Sequence, residues 1–347
     1  MGILVLNSGL YTTVQDLGRN GYQELGISPS GAMDRRSFKI ANMLLDNHEN
    51  EAVIEFTMLG PTLKFTSATI IAITGGNFEP SVNGKPVPMY TAIYVNKNDI
   101  LEFHYAKSGS WGYIAFSSKL DIPVVMGSRS TNVKCSVGGF HGRKLKKGDQ
   151  IWFRAKKRYL NSFLSRTLEA DDFSSEKETI RVILGPQDDC FTRQGVETFL
   201  GEEYTVTSRS DRMGYRLDGP YIAHKESADI VSDGIAFGAV QVPNDGKPIV
   251  MLSDRPTTGG YTKIATVVST DIPKLVQRKE GDKIRFETTS VERAQASYLS
   301  EHKEYDKMKN DIHKPCREIL DPRLTAKRIT RLFSTDMQEE TDGHKRY

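Results

Sequence analysis

Residues 255–263 combine side chains that bind and polarise anions. The segment begins with Arg255 and ends with Lys263, and between them lie Thr257, Thr258, Gly259, Gly260 and Tyr261. A guanidinium group offers a planar fork of donors that fits a carboxylate or a phosphate. Paired glycines let backbone N–H groups approach a bound anion, and threonine hydroxyls add donors. The pattern therefore predicts a polar, glycine-rich turn between apolar strands at 249–252 and 264–268.

This segment supplies both catalytic and substrate-binding candidates. The catalytic candidates are Arg255, Thr257, Thr258 and Lys263. The substrate-binding candidates are Gly259, Gly260 and Tyr261. The alternative is an ordinary hairpin turn whose arginine and lysine are only solvated.

A second polar cluster lies at residues 208–216, where basic, acidic and hydroxyl side chains crowd together. Its substrate-binding candidates are Asp211, Arg212 and Tyr215. We expect Asp211 to orient an arginine, and we expect this cluster to line one pocket with residues 255–263. The alternative is an ion-paired strand edge, for which the sequence Met-Gly-Tyr at 213–215 would be an unusual choice.

A third group of candidates lies in a loop that we expect at residues 12–34. Four glycines in this span indicate several unusual backbone turns, and long ordered loops are often functional. The substrate-binding candidates here are Gln15, Asp16 and Arg19. Asp34, at the end of the loop, is expected to cap an amphipathic helix at 35–45.

These candidates must be positioned by a chain of 347 residues, a length typical of two domains. Hydrophobic residues make up 38% and charged residues 26% of the chain, as in soluble globular proteins. The net charge of +3 and the scattered basic residues argue against a nucleic-acid partner. No apolar run approaches about 18 residues, which argues against a membrane span. The three cysteines form no CxxC pair, which indicates a reducing compartment, so we predict a cytoplasmic protein.

The hydrophobic pattern predicts a mainly β fold. Short apolar runs recur about every ten residues from position 53 onward, and turn residues separate them, which is typical of antiparallel barrels or sandwiches. Three segments of the form Asp-x-apolar-x-Phe, at 99–103, 149–153 and 282–286, suggest two related barrels. We place these two domains at residues 1–160 and 178–290, joined by a polar linker.

The remaining residues, 291–347, are predicted to form a helical extension and a charged tail. A capping sequence at Thr289–Glu292 precedes apolar residues at heptad-like spacing up to Ile312. This spacing predicts a helix of about six turns that packs one face against the barrels. A partner helix is the alternative use of that face.

Several common catalytic and cofactor motifs are absent from the sequence. It contains no GxxxxGK[ST], HExxH, GxSxG or helix-opening GxGxxG. The seven histidines are scattered singly, so we expect no metal site. Arginines in polar segments remain the main chemical signal.

Several blocks of residues together resemble the family of the C-type subunits of 5-oxoprolinase. The blocks are Val14–Arg19, Ser30–Asp34, Gly138–Phe140, Gly185–Gln187, Ser210–Arg216, Ser232–Ile235, Gln241–Pro243 and Asp254–Tyr261. The resemblance covers about residues 5–286. Relatives of this family include allophanate hydrolase subunit 2, part of the carboxyltransferase domain of urea carboxylase, and an antagonist of a sporulation-kinase inhibitor. Two positions depart from the family pattern, since Pro256 replaces an expected Gln and Thr262 an expected Pro.

The resemblance implies a fold of two cyclophilin-like antiparallel β-barrel domains, in agreement with the strand spacing. It implies ATP-dependent opening of 5-oxo-L-proline to L-glutamate together with two partner subunits, of the A and B types. The isolated chain is then expected to be inactive, and the ATP site is not assigned to it. Two alternatives remain: a carboxyltransferase component of a biotin-dependent urea-type carboxylase, and a non-enzymatic antagonist of a histidine-kinase inhibitor.

Overall fold

The computed structural model describes residues 1–156 and 159–314. Residues Met1–His313 cluster as one unit. The division at about residues 160–178 into two domains therefore stays a prediction, and the predicted charged tail beyond residue 314 lies outside the described residues. No helix in the described part is long and apolar enough to cross a membrane.

The first half of the chain forms two antiparallel sheets. Its strands are β1 (Gly2–Asn7), β2 (Tyr11–Gln15), β3 (Val53–Thr57), β4 (Thr62–Phe65), β5 (Thr69–Asn77), β6 (Ser81–Val82), β7 (Lys85–Pro86), β8 (Ala92–Val95), β9 (Ile100–Glu102), β10 (Ser108–Phe116) and β11 (Gln150–Trp152). One sheet has the order β11-β1-β4-β9-β6-β7, and the other has the order β2-β3-β10-β5-β8.

The five-stranded sheet is buried on both faces. Along β5, Ile71 and Ile73 pack with the apolar residues of the six-stranded sheet. The alternate residues Ile70 and Ala72 join a second core, which also contains the interior residues of the second half. Because successive side chains of a strand point to opposite faces, this continuous apolar run places the sheet between two cores.

Helix α1 (Arg35–Leu44) covers the second face of this sheet. Asp34 precedes the helix, and its carboxylate accepts a hydrogen bond from the Ser37 amide at 2.9 Å. The predicted cap is therefore confirmed. Phe38, Ala41 and Leu44 lie on the buried face, as the amphipathic spacing predicts.

The second half forms a closed barrel with the strand order β12-β19-β16-β17-β14-β13-β20. Its strands are β12 (Lys177–Leu184), β13 (Glu203–Val206), β14 (Gly214–Asp218), β16 (Ala239–Gln241), β17 (Ile249–Met251), β19 (Lys263–Val267) and β20 (Lys283–Thr288). The mainly β, barrel-type fold is thus confirmed. One neighbouring pair, β12 with β20, is parallel. A ring of seven strands requires at least one such pair, because strict alternation of direction closes only with an even number.

Besides four short 3-10 helices, the described chain contains two further strands and three further α-helices. The elements are β15 (Asp229–Gly234), β18 (Thr258–Tyr261), α2 (Arg193–Gly201), α3 (Ile272–Val276) and α4 (Val291–Ile312). Helix α4 begins after Ser290, which caps the Arg293 amide, and it buries Tyr305 and Ile312 in the second core. The predicted C-terminal helix and its packing against the rest of the protein are confirmed.

Gln277 joins three elements at the centre of the molecule. This fully buried residue directly follows α3. Its amide oxygen accepts from the Ser110 and Trp111 amides at 2.8 and 2.9 Å. Its amide nitrogen donates to Asp34 Oδ2 at 2.8 Å and to the Trp111 carbonyl at 3.0 Å. One side chain therefore ties α3 to β10 and to the cap of α1.

We expect Gln277→Leu to lower the free energy of unfolding by about 3 kcal/mol, because several buried polar groups lose their partners while the volume is nearly kept. Urea unfolding measures the loss. Gln194→Leu on the exposed face of α2 is the matched control, with an expected change below about 0.5 kcal/mol. Equal losses in the two variants would contradict the role given to Gln277.

Candidate functional site

The predicted glycine-rich turn is not a turn. Residues Thr258–Tyr261 form the extended strand β18, which pairs antiparallel with β15 and places Gly259 opposite Asp233. Neither Gly259 nor Gly260 has a positive φ. The prediction of a glycine-rich turn is therefore wrong, because pairing with β15 holds this segment extended. The flanking apolar strands β17 and β19 are confirmed.

Gly259 is needed for close approach rather than for its backbone angle. A Cβ atom at this position would lie 2.7 Å from Ile235 Cδ1 and 2.9 Å from Gln241 Nε2. A Cβ atom at Gly260 would meet nothing closer than 3.4 Å. Gly259 thus lets the β15–β18 layer lie directly on the barrel strand that carries Gln241.

Arg255 is buried, with 6% of its surface exposed, and it lies next to this layer. Its Nε donates to the Ile235 carbonyl at 2.9 Å, and its Nη1 donates to the Leu252 carbonyl at 3.3 Å. Its guanidinium lies 5.5 Å from the centre of the Phe237 ring. No carboxylate of the described residues pairs with it. Burial, together with the nearby charge of Arg35, lowers the pKa of Arg255 to about 10.

Lys263 is the second buried cation of the predicted segment. Its Nζ lies 3.1 Å from Asp233 Oδ2, in an ion pair that lacks hydrogen-bond geometry. The Lys263 ammonium lowers the pKa of the exposed Asp233 carboxyl. The Lys263 amide donates to Gln187 Oε1 at 3.2 Å, so the Gly185–Gln187 segment borders this group. The buried ammonium makes no hydrogen bond to the described residues.

The hydroxyl-bearing candidates of the segment differ in exposure. Thr258 and Tyr261 are exposed, and Thr257 is half-buried. The Thr257 carbonyl accepts from the Ile235 amide at 3.0 Å. The Tyr261 carbonyl accepts a long bond of 3.5 Å from Gln241 Nε2. The hydroxyls of Thr258 and Tyr261 thus face solvent or a ligand rather than the core.

Arg212 is wholly engaged inside the protein. Its guanidinium forms an ion pair with Glu55. It also forms a bidentate ion pair with Asp254, in which Nε and Nη2 lie 2.9 and 3.2 Å from the two carboxylate oxygens. Its Nη2 also donates to the Gly31 carbonyl at 2.7 Å. Although burial acts in the opposite direction, the charges of Asp254 and Glu55 raise the pKa of Arg212. These contacts give Arg212 a structural role.

The prediction that Asp211 orients an arginine is wrong. Asp211 accepts from the amides of Met213 and Gly214, at 2.8 and 3.2 Å, and so closes its own turn. Asp254 and Glu55 orient Arg212 instead. The short spacing between Asp211 and Gly214 favours a local turn over a contact between neighbouring side chains.

Tyr215 is also buried and hydrogen-bonded. Its hydroxyl donates to the Val276 carbonyl at 2.6 Å and accepts from Trp111 Nε1 at 3.1 Å. Burial raises its pKa above the usual range for tyrosine. Tyr215 therefore connects β14 with β10 and α3.

The candidates of the first loop organise the backbone around them. Asp16 accepts from Gly18, Ser128, Arg129 and Ser130, at distances of 2.5–2.8 Å. Gln15 donates to Thr13 and to the Thr131 carbonyl. Arg19 is 1% exposed and donates to the Ser130 carbonyl at 2.6 Å, while its Nε and Nη1 have no hydrogen-bond partner in the described structure. Burial lowers the pKa of Arg19.

A cavity of about 620 Å³ lies between the two halves. Its lining includes Asp211, Arg212 and Tyr215, together with Tyr11 and Trp111. Residues 255–263 are not part of this lining. The prediction that they share one pocket with Asp211 and Arg212 is therefore wrong, because the guanidinium groups of Arg212 and Arg255 turn to different partners.

Sequence reasoning missed several residues that matter here. Tyr11 lines the cavity, and burial raises its pKa to about 12. Arg35 and Phe237 lie beside Arg255. The sequence pattern alone places Arg35 in an amphipathic helix and makes Phe237 one more apolar residue. Arg35 and Arg255 each directly follow an aspartate, but so does Arg212, so this sequence feature does not by itself identify the site.

The described residues offer few groups for a metal ion. Across positions 1–156 and 159–314, no three or more His, Cys, Asp or Glu side chains cluster in a way that could hold one. His224, for example, contacts the Val242 carbonyl and Thr262, and burial lowers its pKa. The site chemistry that remains is that of buried cations and hydroxyl donors.

Comparison with known proteins points to one family. The family model described as carboxyltransferase domain, subdomain A and B, matches residues 25–288. The C-type subunit of 5-oxoprolinase from Haemophilus influenzae is 36% identical over 282 residues, which cover 81% of this chain and 89% of that protein. The C-type subunit of 5-oxoprolinase from Escherichia coli is 32% identical over 311 residues, which cover 89% of this chain and 98% of that protein.

A solved structure shows the same fold inside a larger enzyme. The urea amidolyase of K. lactis superposes with a TM-score of 0.82 at 30% identity. The match covers 88% of this chain and 20% of the urea amidolyase. This chain thus corresponds to about a fifth of that enzyme, but to nearly the whole of the Escherichia coli protein.

We expect Arg212→Lys to lower the free energy of unfolding by about 3 kcal/mol, because a lysine cannot hold both carboxylates and the two acids lose their paired donors. Thermal and urea unfolding check this. Arg216→Lys, at an exposed position four residues away, is the control and should change stability by less than about 0.5 kcal/mol. A loss below about 1 kcal/mol for Arg212→Lys would argue against its structural role.

Proposed function

Because the chain belongs to the carboxyltransferase domain family of subdomains A and B, we propose that it is a subunit of a 5-oxoprolinase. The observation that carries this proposal is the alignment with 98% of the C-type subunit of 5-oxoprolinase from Escherichia coli. Two relatives that this chain matches over most of their length bear that name, whereas the urea amidolyase contains this region as one part of a much longer chain.

The proposed reaction is the ATP-dependent opening of 5-oxo-L-proline to L-glutamate, carried out in the cytoplasm with two partner subunits of the A and B types. Phosphoryl transfer from ATP to the lactam oxygen releases ADP. A first water molecule then adds to the ring carbon, the ring C–N bond breaks and the nitrogen takes up a proton, which leaves an acyl phosphate. A second water molecule hydrolyses this acyl phosphate to the carboxylate and free phosphate. ATP is a substrate of the complex, and no residue of this chain is assigned to it.

This chain's own residues suit the binding and charge-stabilising parts of that reaction. Arg255 is a buried cation without a carboxylate partner in the described structure, as a site for the substrate carboxylate requires. Thr258 lies on β18 and Lys263 begins the next strand, β19; the Thr258 hydroxyl and the Lys263 ammonium would stabilise charge on the lactam oxygen. Thr257, Gly259 and Gly260 shape the strand that carries them.

A second candidate function is supported by the family model and by the urea amidolyase structure. In that case the chain is the carboxyltransferase component of a biotin-dependent urea-type carboxylase. The biotin carrier would belong to another chain. The two candidates differ in substrate and cosubstrate, so one set of assays separates them.

We expect the purified chain alone to show no turnover of 5-oxo-L-proline, and a mixture with its two partner subunits to release glutamate and ADP together. Coupled assays of glutamate and ADP measure this. Turnover by the isolated chain would contradict the proposed subunit role. Carboxyl transfer to urea with a biotin carrier, without glutamate release, would favour the second candidate.

In the same mixture, Lys263→Met should lower turnover by about 10²-fold or more, because one preorganised donor to developing negative charge is lost. Stability should change little, since the buried Nζ makes no hydrogen bond to the described residues and its ion-pair partner Asp233 is exposed. Lys283→Met, at an exposed position on β20, is the matched control. Full turnover in a folded, assembled Lys263→Met complex would contradict the assignment of Lys263 to the catalytic site.

A further inference from the structure

Arg35 and Arg255 contact the same aromatic ring. The guanidinium carbon of Arg35 lies 4.6 Å from the centre of the Phe237 ring, and that of Arg255 lies 5.5 Å from it. Arg35 is the first residue of α1, and Arg255 follows β17 in the second half. Two cations from distant parts of the chain therefore meet at one half-buried phenylalanine.

Neither arginine has an acidic partner among the described residues. The Nε of Arg35 is buried without a hydrogen-bond acceptor, and Arg255 donates only to two backbone carbonyls. Other arginines of the protein behave differently. Arg36 pairs with Asp171 and Glu304, and Arg181 pairs with Asp271. Arg19 is also buried without an ion pair, but among the described residues only Arg35 and Arg255 are two arginines over one aromatic ring.

Such an arrangement is unfavourable unless an anion joins it. Burial without a counter-charge destabilises a cation, and two neighbouring cations also repel each other. Burial lowers the pKa of Arg35, and burial together with Arg35 lowers that of Arg255. The ring face offsets only part of this cost, since a cation–π contact contributes about 0.5–2 kcal/mol.

We propose that Arg35 and Arg255 form, against Phe237, a binding site for one small oxyanion, either a carboxylate or a phosphate group. The planar donor forks of two arginines suit both groups. The identification of the carboxylate with that of 5-oxo-L-proline rests on the proposed function. The oxyanion site itself does not, because it follows from these three residues.

Anion-dependent thermal unfolding of the whole chain tests the proposal. Inorganic phosphate and 5-oxo-L-proline are added separately, and sodium chloride at equal ionic strength is the reference. We expect at least one of the two, at about ten times its dissociation constant or more, to raise Tm by about 2–5 °C above the chloride reference. Phosphate alone identifies a phosphate site, and 5-oxo-L-proline alone identifies a carboxylate site; both results support the oxyanion proposal.

Arg35→Gln and its neighbour Arg36→Gln form a matched pair of variants. In Arg35→Gln the apparent affinity for the anion should fall by about tenfold or more, because a charge-assisted contact is lost. In Arg36→Gln it should stay unchanged. The Tm values without added anion should differ in the opposite sense. Arg36→Gln should lower Tm, because it breaks ion pairs, whereas Arg35→Gln should leave Tm unchanged or raise it.

The absence of any anion-specific rise in Tm in the wild type would overturn the proposal. An undiminished rise in Arg35→Gln would overturn it as well. Arg255→Lys serves as a second variant if Arg35→Gln does not fold. It keeps the positive charge but lacks the planar donor fork of the guanidinium group. Because this readout requires no turnover, an inactive enzyme mixture would contradict the oxoprolinase role and leave the oxyanion site standing.

Discussion

The cluster of Arg212 with Glu55 and Asp254 is the interaction on which the arrangement of the two halves depends. Glu55 lies on β3 of the first half, and Asp254 follows β17 of the second half. Arg212 pairs with both and also binds the Gly31 carbonyl. A buried cation with two carboxylates is stable only when every member is present. The cluster therefore fixes the relative position of β3, β17 and the loop before α1.

The same network continues toward α1 and explains where the free arginines lie. The second oxygen of Glu55 accepts from the Tyr113 hydroxyl at 2.9 Å, and that hydroxyl accepts from the Asp34 amide at 2.7 Å. The acids Asp34 and Asp254 are thus held in place at its two ends. Each is followed directly by an arginine, Arg35 or Arg255, whose guanidinium lies over the Phe237 ring. This network of paired charges thus positions two arginines that have no acidic partner among the described residues.

The sequence allowed the fold to be predicted further than the site. Apolar periodicity and turn residues predict the mainly β barrel fold, and capping residues predict α1 and α4. Both kinds of signal involve residues that are close together in the sequence. The Thr258–Tyr261 segment was misassigned because its strand partner is about thirty residues away. The partners of Arg212 are 157 and 42 residues distant. Contacts between residues so far apart depend on the tertiary fold, so a local sequence pattern does not predict them.

The difference between Arg212 and Arg255 shows how arginines in one protein divide between structure and binding. Both are buried, and both were predicted to contact substrate. Arg212 has two carboxylates and is held by them, so a substrate anion would have to displace one of these acids. Among the described residues Arg255 contacts only backbone carbonyls and the Phe237 ring, so its unbalanced charge destabilises the free protein and is available to a ligand. A buried cation without its own acid is therefore a better sign of a binding site than an arginine in a polar segment, because only the former gains charge compensation from the ligand.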